Sequence, residues 1–162
     1  NRKNSRGGVF KAGLFSIDQG FILGEKTMAT PDGRHAGEPF SKNLCATVGM
    51  DKKGITSLIN SISKVDLAAF SDGSVFDVVL HPSTVEGEDG LDAFYALVKT
   101  YFKKGGLAFQ GNIFDTEELK KAQRYPEQYK NLQVRVCGWN AYFTDLTKDA
   151  QNAFIKQAEQ MF

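Results

Sequence analysis

Two short apolar runs, 75–80 and 107–114, flank one long amphipathic stretch, and that order constrains the fold more than any other feature of the sequence. In the stretch, Leu91, Phe94, Tyr95, Val98, Tyr101 and Phe102 recur at the spacing of one helix face. The spacing predicts a helix over about 90–103, closed by Gly105-Gly106. The first run stops at His81-Pro82 and reads as a buried strand; the second is a strand candidate. Ile55, Leu58, Ile59 and Ile62 predict another helix over 55–64. Asp115 followed by Glu118 resembles an N-cap pair, opening a short helix to about Gln123. Residues 132–136 alternate like a strand, and Thr147 is placed to cap a final helix with Phe154 and Ala158 on its buried side. Strands alternating with helices indicate α/β, a sheet covered by helices.

The earlier third is less regular. Residues 1–8 read as a basic loop, and 9–23, apolar and aromatic with two glycines, as extended and buried. Thr30-Pro31-Asp32-Gly33 has turn composition, and Pro39 stops any helix that starts there. No repeat or low-complexity linker divides the chain, so 1–162 is expected to be one unit. The 13 phenylalanines imply a large buried surface.

Charge and composition exclude several functions. Twenty Lys and Arg against nineteen Asp and Glu leave a formal charge of +1, no footprint for nucleic acid or an anionic membrane. No apolar run approaches the roughly 18–20 residues that span a bilayer. No signal peptide is recognisable, so a cytoplasmic location is the expectation. Two cysteines, Cys45 and Cys137, cannot make a disulfide scaffold or a tetrahedral zinc site, and no bound metal or cofactor is expected. Cys45 stands in an apolar context that favours an inert thiol. Glu86, Glu88 and Asp89 suit a helix N-terminus better than a metal. Gly33 and Gly37 lack the Lys-Ser or Lys-Thr of a phosphate loop. His35 and His81, far apart in sequence, read as structural before catalytic.

One segment carries chemistry. Residues 131–146 read NLQVRVCGWNAYFTDL, with a glycine at the tip of a strand-like run. In isolation that is a tight turn. Residue by residue, however, the segment resembles the radical-bearing signature of the glycyl radical enzymes. The matching residues are Arg135, Val136, Gly138, Trp139, Phe143, Leu146 and Gln151. Trp139 is a mild departure, since Tyr is commoner there. The terminal helix also departs, with Lys156-Gln157-Ala158-Glu159 in place of the family's frequent Arg-Thr-Glu. A second motif, ATPDGRHAGEP over 29–39, is similar to the phrase preceding the radical motif in pyruvate formate-lyase-like members. Residues 61–64, 106–112 and 119–132 resemble their intervening segments, so the likeness runs from about Gly8 to Gln160.

The resemblance implies a fold, a site and partners. The fold is the C-terminal portion of a ten-stranded α/β barrel, with a glycyl radical loop and a terminal helix. Gly138 stores the radical; Arg135, Val136, Cys137 and Trp139 support its loop. Glycine suits this task physically: a radical at its Cα is flanked by an amide donor and a carbonyl acceptor, and no Cβ crowds the planar centre. Such a centre must be kept from solvent, and Trp139, Tyr142 and Phe143 are placed in sequence to seal it. A radical S-adenosylmethionine, iron–sulfur activase installs the radical, which then takes hydrogen from a cysteine on another loop. Neither Cys137, adjacent to Gly138, nor Cys45 occupies that position, so the thiyl cysteine is expected outside this chain.

The implied function is therefore anaerobic cleavage of a C–C, C–O, C–N or C–S bond in a small metabolite, by a lyase, dehydratase, decarboxylase or formate acyltransferase. The expected partners are the activase, the rest of the parent enzyme and a second copy in a homodimer. The expected host is an anaerobic bacterium, with a microcompartment lumen as the alternative location. A stand-alone spare-part subunit that repairs a damaged formate-lyase is the alternative function. Gln110, Asn112 and His81 lie at strand ends; loop hydrogen bonds or packing is the favoured role for each over contact with substrate.

Overall fold

The run Gly73–Leu80 becomes the central strand because nearly every side chain on it is buried, on both faces. The computed structural model describes residues 2–16, 19–47, 50–136 and 138–159, Phe21 and Gln157 by their backbone alone. In chain order its elements are β1 (Gly13–Leu14), α1 (Gln19–Glu25), α2 (Gly54–Ile62), β2 (Gly73–Leu80), α3 (Gly87–Lys103), β3 (Ala108–Ile113), α4 (Thr116–Arg124), β4 (Gln133–Val136), β5 (Trp139–Tyr142) and α5 (Lys148–Glu159). β1, β2 and β3 form a parallel sheet in that order. β4 and β5 form a separate antiparallel hairpin. The ten-stranded barrel is thus not present among the described residues; three parallel strands are.

The expected helices and strands between 54 and 159 all form, within a few residues of their expected ends. α3 carries Glu88 and Asp89 in its first turn and Lys103 in its last, each sign matching the helix dipole. Its inward face is Phe94, Leu97 and Tyr101, whereas Leu91, Tyr95 and Phe102 are exposed. At α4 the Asp115 carboxylate accepts from the N–H of Glu117 at 2.8 Å, an N-cap as expected. At α5 the Thr147 hydroxyl accepts from the N–H of Ala150.

The sheet separates two cores. On one face Phe76, Val78 and Leu80 pack with Ile59, Ile62, Leu67 and Tyr101. On the other, Val79 joins Leu119, Ala122, Val134, Val136, Phe143, Phe154, Ile155 and Ala158. The second core thus binds α4, the hairpin and α5 together beneath the sheet. Polar ties reinforce it: Lys120 reaches Glu159 at 2.8 Å, and Gln123 donates to Asn152 at 2.9 Å.

Two expectations fail in the first half and at the hairpin. The described part of 9–23 is not a buried extended segment: Val9, Phe10, Phe15, Ile22 and Leu23 are exposed, β1 is two residues long, and α1 starts at Gln19, while Ile17 and Asp18 lie outside the described residues. The reason is local packing. Gly24 allows α1 to lie against the backbone of 38–39, where a Cβ would sit 2.3 Å from the Glu38 carbonyl oxygen. Arg34 fastens the adjoining 27–38 loop: it is buried, lies over the Phe40 ring at 4.5 Å, and donates to the carbonyls of Met28, His35 and Glu38. The second is β5, a paired strand where a loop was expected.

Candidate radical site

β4 alternates as its sequence demands, with Val134 and Val136 in the core and Gln133 and Arg135 facing out. The chain does not pass from it into a loop leading to the final helix. It reverses through a two-residue connection and runs back as β5, pairing Val136 with Trp139 and Arg135 with Asn140. Gly138 occupies the second position of that connection with φ +102°, a backbone region that side-chain-bearing residues rarely adopt. A Cβ there would meet nothing within 4 Å, so conformation rather than crowding demands glycine. Cys137, the other connecting residue, lies outside the described residues.

The pair next to a two-residue turn exchanges both backbone hydrogen bonds, so the next pair turns its peptide groups outward. That next pair is Arg135–Asn140, and the sheet meets it with side chains. Asn112, only 5% exposed, accepts from the Arg135 N–H at 2.8 Å and donates to its carbonyl at 3.1 Å. Its carboxamide offers Arg135 the donor and acceptor that a neighbouring strand would have supplied. Gln110, two residues earlier on the same face of β3, donates to the Arg135 carbonyl at 3.3 Å and accepts from the Gly138 N–H at 3.1 Å. Packing or loop hydrogen bonding at strand ends was the sequence reading of both residues; they lie within β3 instead, and it is hydrogen bonding to the hairpin that they do. The spacing of two on a strand was the signal that they act together.

Downstream, Phe143 is fully buried and Leu146 packs against the same core. The Gln151 amide, 6% exposed, donates to the carbonyls of Phe143 and Leu146 at 3.0 and 3.1 Å. Phe143, Leu146 and Gln151 therefore form one tie between the hairpin's exit and α5.

The remaining residues separate from this site. The Arg135 guanidinium points outward to Asn140 Oδ1 at 2.9 Å. Trp139 and Tyr142 do not seal the turn within this chain: they are 46% and 44% exposed, and Gly138 itself is exposed. Only Phe143 of the three expected aromatics is inside. His81 closes β2, its Nδ1 within 2.8 Å of the Ser83 hydroxyl and its Nε2 3.9 Å from Asp115. His35 is exposed in the loop fastened by Arg34. Cys45 is half-buried, its thiol 2.8 Å from the Asp77 carbonyl oxygen. Among the described residues no group of three His, Cys, Asp or Glu is placed to hold a metal.

Asp77 was not singled out by sequence. It is buried, in register with Gln110 one strand away, and accepts from the Asn43 amide. Its Oδ1 has no hydrogen-bond donor among the described residues. Burial pushes its carboxyl above the usual range, offset in part by the nearby Lys42 charge and the Asn43 bond.

The family model described as "Glycine radical" matches residues 40–144, which contain the whole hairpin and both amides that hold it. The chain belongs to the glycyl radical family. It is 38% identical to the probable dehydratase YbiW of Escherichia coli over 96% of this chain and 19% of that protein. It is 35% identical to the (2S)-3-sulfopropanediol dehydratase of Klebsiella oxytoca over 99% of this chain and 20% of that protein. Among solved structures, the glycerol-bound B12-independent glycerol dehydratase of Clostridium butyricum superposes with a TM-score of 0.92 at 38% identity, over 97% of this chain and 20% of that one. The chain thus spans about a fifth of the length of the glycyl radical relatives it matches. No helix among the described residues is long and apolar enough to cross a membrane.

Proposed function

We propose that Gly138 stores a glycyl radical for a longer enzyme of which this chain is the C-terminal radical domain. The observation that carries the reading is the hairpin tip. Gly138 stands there with a φ that favours glycine, open space where a Cβ would be, and its N–H held by the sheet. An activase that cleaves S-adenosylmethionine would remove one Cα hydrogen. The Gly138 radical would then take the S–H hydrogen of a cysteine contributed by the rest of the enzyme, re-forming the Cα–H bond and leaving the thiyl that attacks substrate.

The exposure of the tip supports the same reading. An oxygen-sensitive radical needs a dry enclosure, and Trp139 and Tyr142 stand open beside Gly138. A chain that spans a fifth of its relatives leaves ample protein to cover them, in a barrel that β1, β2 and β3 would help to complete. The dehydratase relatives favour elimination of water from a small hydroxylated metabolite, with decarboxylation as the other chemistry the family offers.

Activation of the full-length enzyme under anaerobic conditions, read by electron paramagnetic resonance, tests the reading. The wild type should give a doublet from the one remaining α-hydrogen, collapsing when glycine is α-deuterated. Gly138→Ala should give no radical and no turnover. Within this chain its folding cost is backbone strain of roughly 1–3 kcal/mol, since φ is +102° and no atom of the chain obstructs the methyl. An active Gly138→Ala enzyme would exclude the proposal.

A further inference from the structure

We infer that Gln110 is a positioning residue for hydrogen transfer at Gly138, a role that rests on the radical reading of that glycine. Its carboxamide bridges the two ends of the turn: Nε2 donates to the Arg135 carbonyl and Oε1 accepts from the Gly138 N–H. The N–H is a donor only, so the oxygen must face Gly138 and the nitrogen Arg135.

Two consequences follow for a radical at the Gly138 Cα. The peptide nitrogen is the electron-donating partner of that centre. A hydrogen bond from its N–H pushes electron density onto the nitrogen and strengthens the donation. Glycine also has the widest backbone freedom of any residue, so the bond selects one orientation of the Gly138 N–H. Which of the two α-hydrogens faces a given side of the turn is thereby fixed. The transfer itself moves one hydrogen atom. The Cα–H bond breaks to a carbon radical made by the activase from S-adenosylmethionine, and it re-forms at the expense of a thiol S–H.

Anchoring of the hairpin does not require this bond. Asn112 already takes both peptide groups of Arg135, and Val134 and Val136 hold the strand from the other side. Gln110 is the residue that reaches the radical position itself.

The test uses the full-length enzyme and its activase, with 15N-glycine and with glutamine labelled 13C at the carboxamide carbon. In the wild type, the nitrogen coupling of the glycyl radical should be accompanied by a weak carbon coupling across the hydrogen bond; no carbon coupling overturns the assignment without any variant. Gln110→Met, similar in size but unable to accept, should shift the nitrogen coupling and the doublet splitting. It should also lower radical yield by about twofold to tenfold, the equivalent of one neutral hydrogen bond. Gln110→Glu loses the donor to Arg135 but gives Gly138 a charged and stronger acceptor, so it should move the couplings in the direction opposite to Gln110→Met. Asn112→Ala should weaken the fold and leave the couplings in place. Wild-type couplings in Gln110→Met, or equal shifts in Gln110→Met and Asn112→Ala, would reduce Gln110 to structural support. Absence of any glycyl radical in the wild type would instead overturn the reading of Gly138 beneath it.

Discussion

The two faces of the β1–β2–β3 sheet are held by different forces. On the α2 and α3 face, contact is apolar and aromatic. Phe76 lies 5.3 Å from Tyr101 and 5.8 Å from Phe109, and Phe94 lies 6.0 Å from Phe109, ring centre to ring centre. On the other face, β3 meets the hairpin through the amides of Gln110 and Asn112, and apolar contact with this sheet comes from Val79. Apolar packing is non-directional and scales with area, so it fixes helices in place without specifying the orientation of any one peptide. Hydrogen bonds do the reverse: individually modest, they set direction. The Gly138 N–H is thus oriented by a directional contact, on a face whose apolar core lies around Leu119 and Phe143.

That contrast can be broken from either side. The largest effect is expected from Phe76→Ala, which removes a fully buried ring from the aromatic face. It should cost roughly 3–5 kcal/mol, seen as a lower denaturant midpoint, with the doublet of any radical that forms unchanged. Asn112→Ala should cost less, about 1–3 kcal/mol, since it takes the partner from the Arg135 N–H and leaves the Arg135 carbonyl to Gln110 alone. Its effect should be local: amide hydrogen exchange should rise across 133–136 and stay slow across 76–80. Uniform loss of protection in both would show that the hairpin is not separately held.

The smallest effect concerns the acid on the amide face. Asp77 has its folded pKa raised above 3.8, chiefly by burial. Its contribution is therefore fully present below that value and lost as pH rises through the higher folded pKa. Asp77→Asn should remove this loss and raise stability near neutral pH by on the order of 1 kcal/mol, read as a flatter dependence of the unfolding midpoint on pH. A destabilised Asp77→Asn enzyme would mean that the charge has a partner elsewhere in the full-length protein.

Much of this was legible in the sequence from residue 54 onward, where long periodic patterns such as that of 90–103 outweigh local ambiguity. The fold before it was not, because residues 9–23 resolve through close backbone approach at Gly24 rather than through any periodic pattern. β5 was missed for another reason. Four residues, Trp139–Tyr142, are too few to show a period, and three of them stay exposed in this chain. The Cys-Gly step between two short runs was the available hairpin signal. Gly138 was identified from motif resemblance; its φ follows from the hairpin turn, and its bond to Gln110 needed the side-chain contact of β3 with the hairpin, which is set by tertiary packing. The aromatic seal failed because the sequence shows which residues are apolar and not which chain covers them.

The central claim is that the radical resides on Gly138, and oxygen reports its position directly. After anaerobic activation, brief exposure of the full-length enzyme to air should cleave the backbone at Gly138, and mass spectrometry should find a C-terminal piece beginning near Trp139, in an amount that matches the lost doublet. An activated enzyme that loses its radical to air with the chain uncut, or cut at any other glycine, would contradict the account.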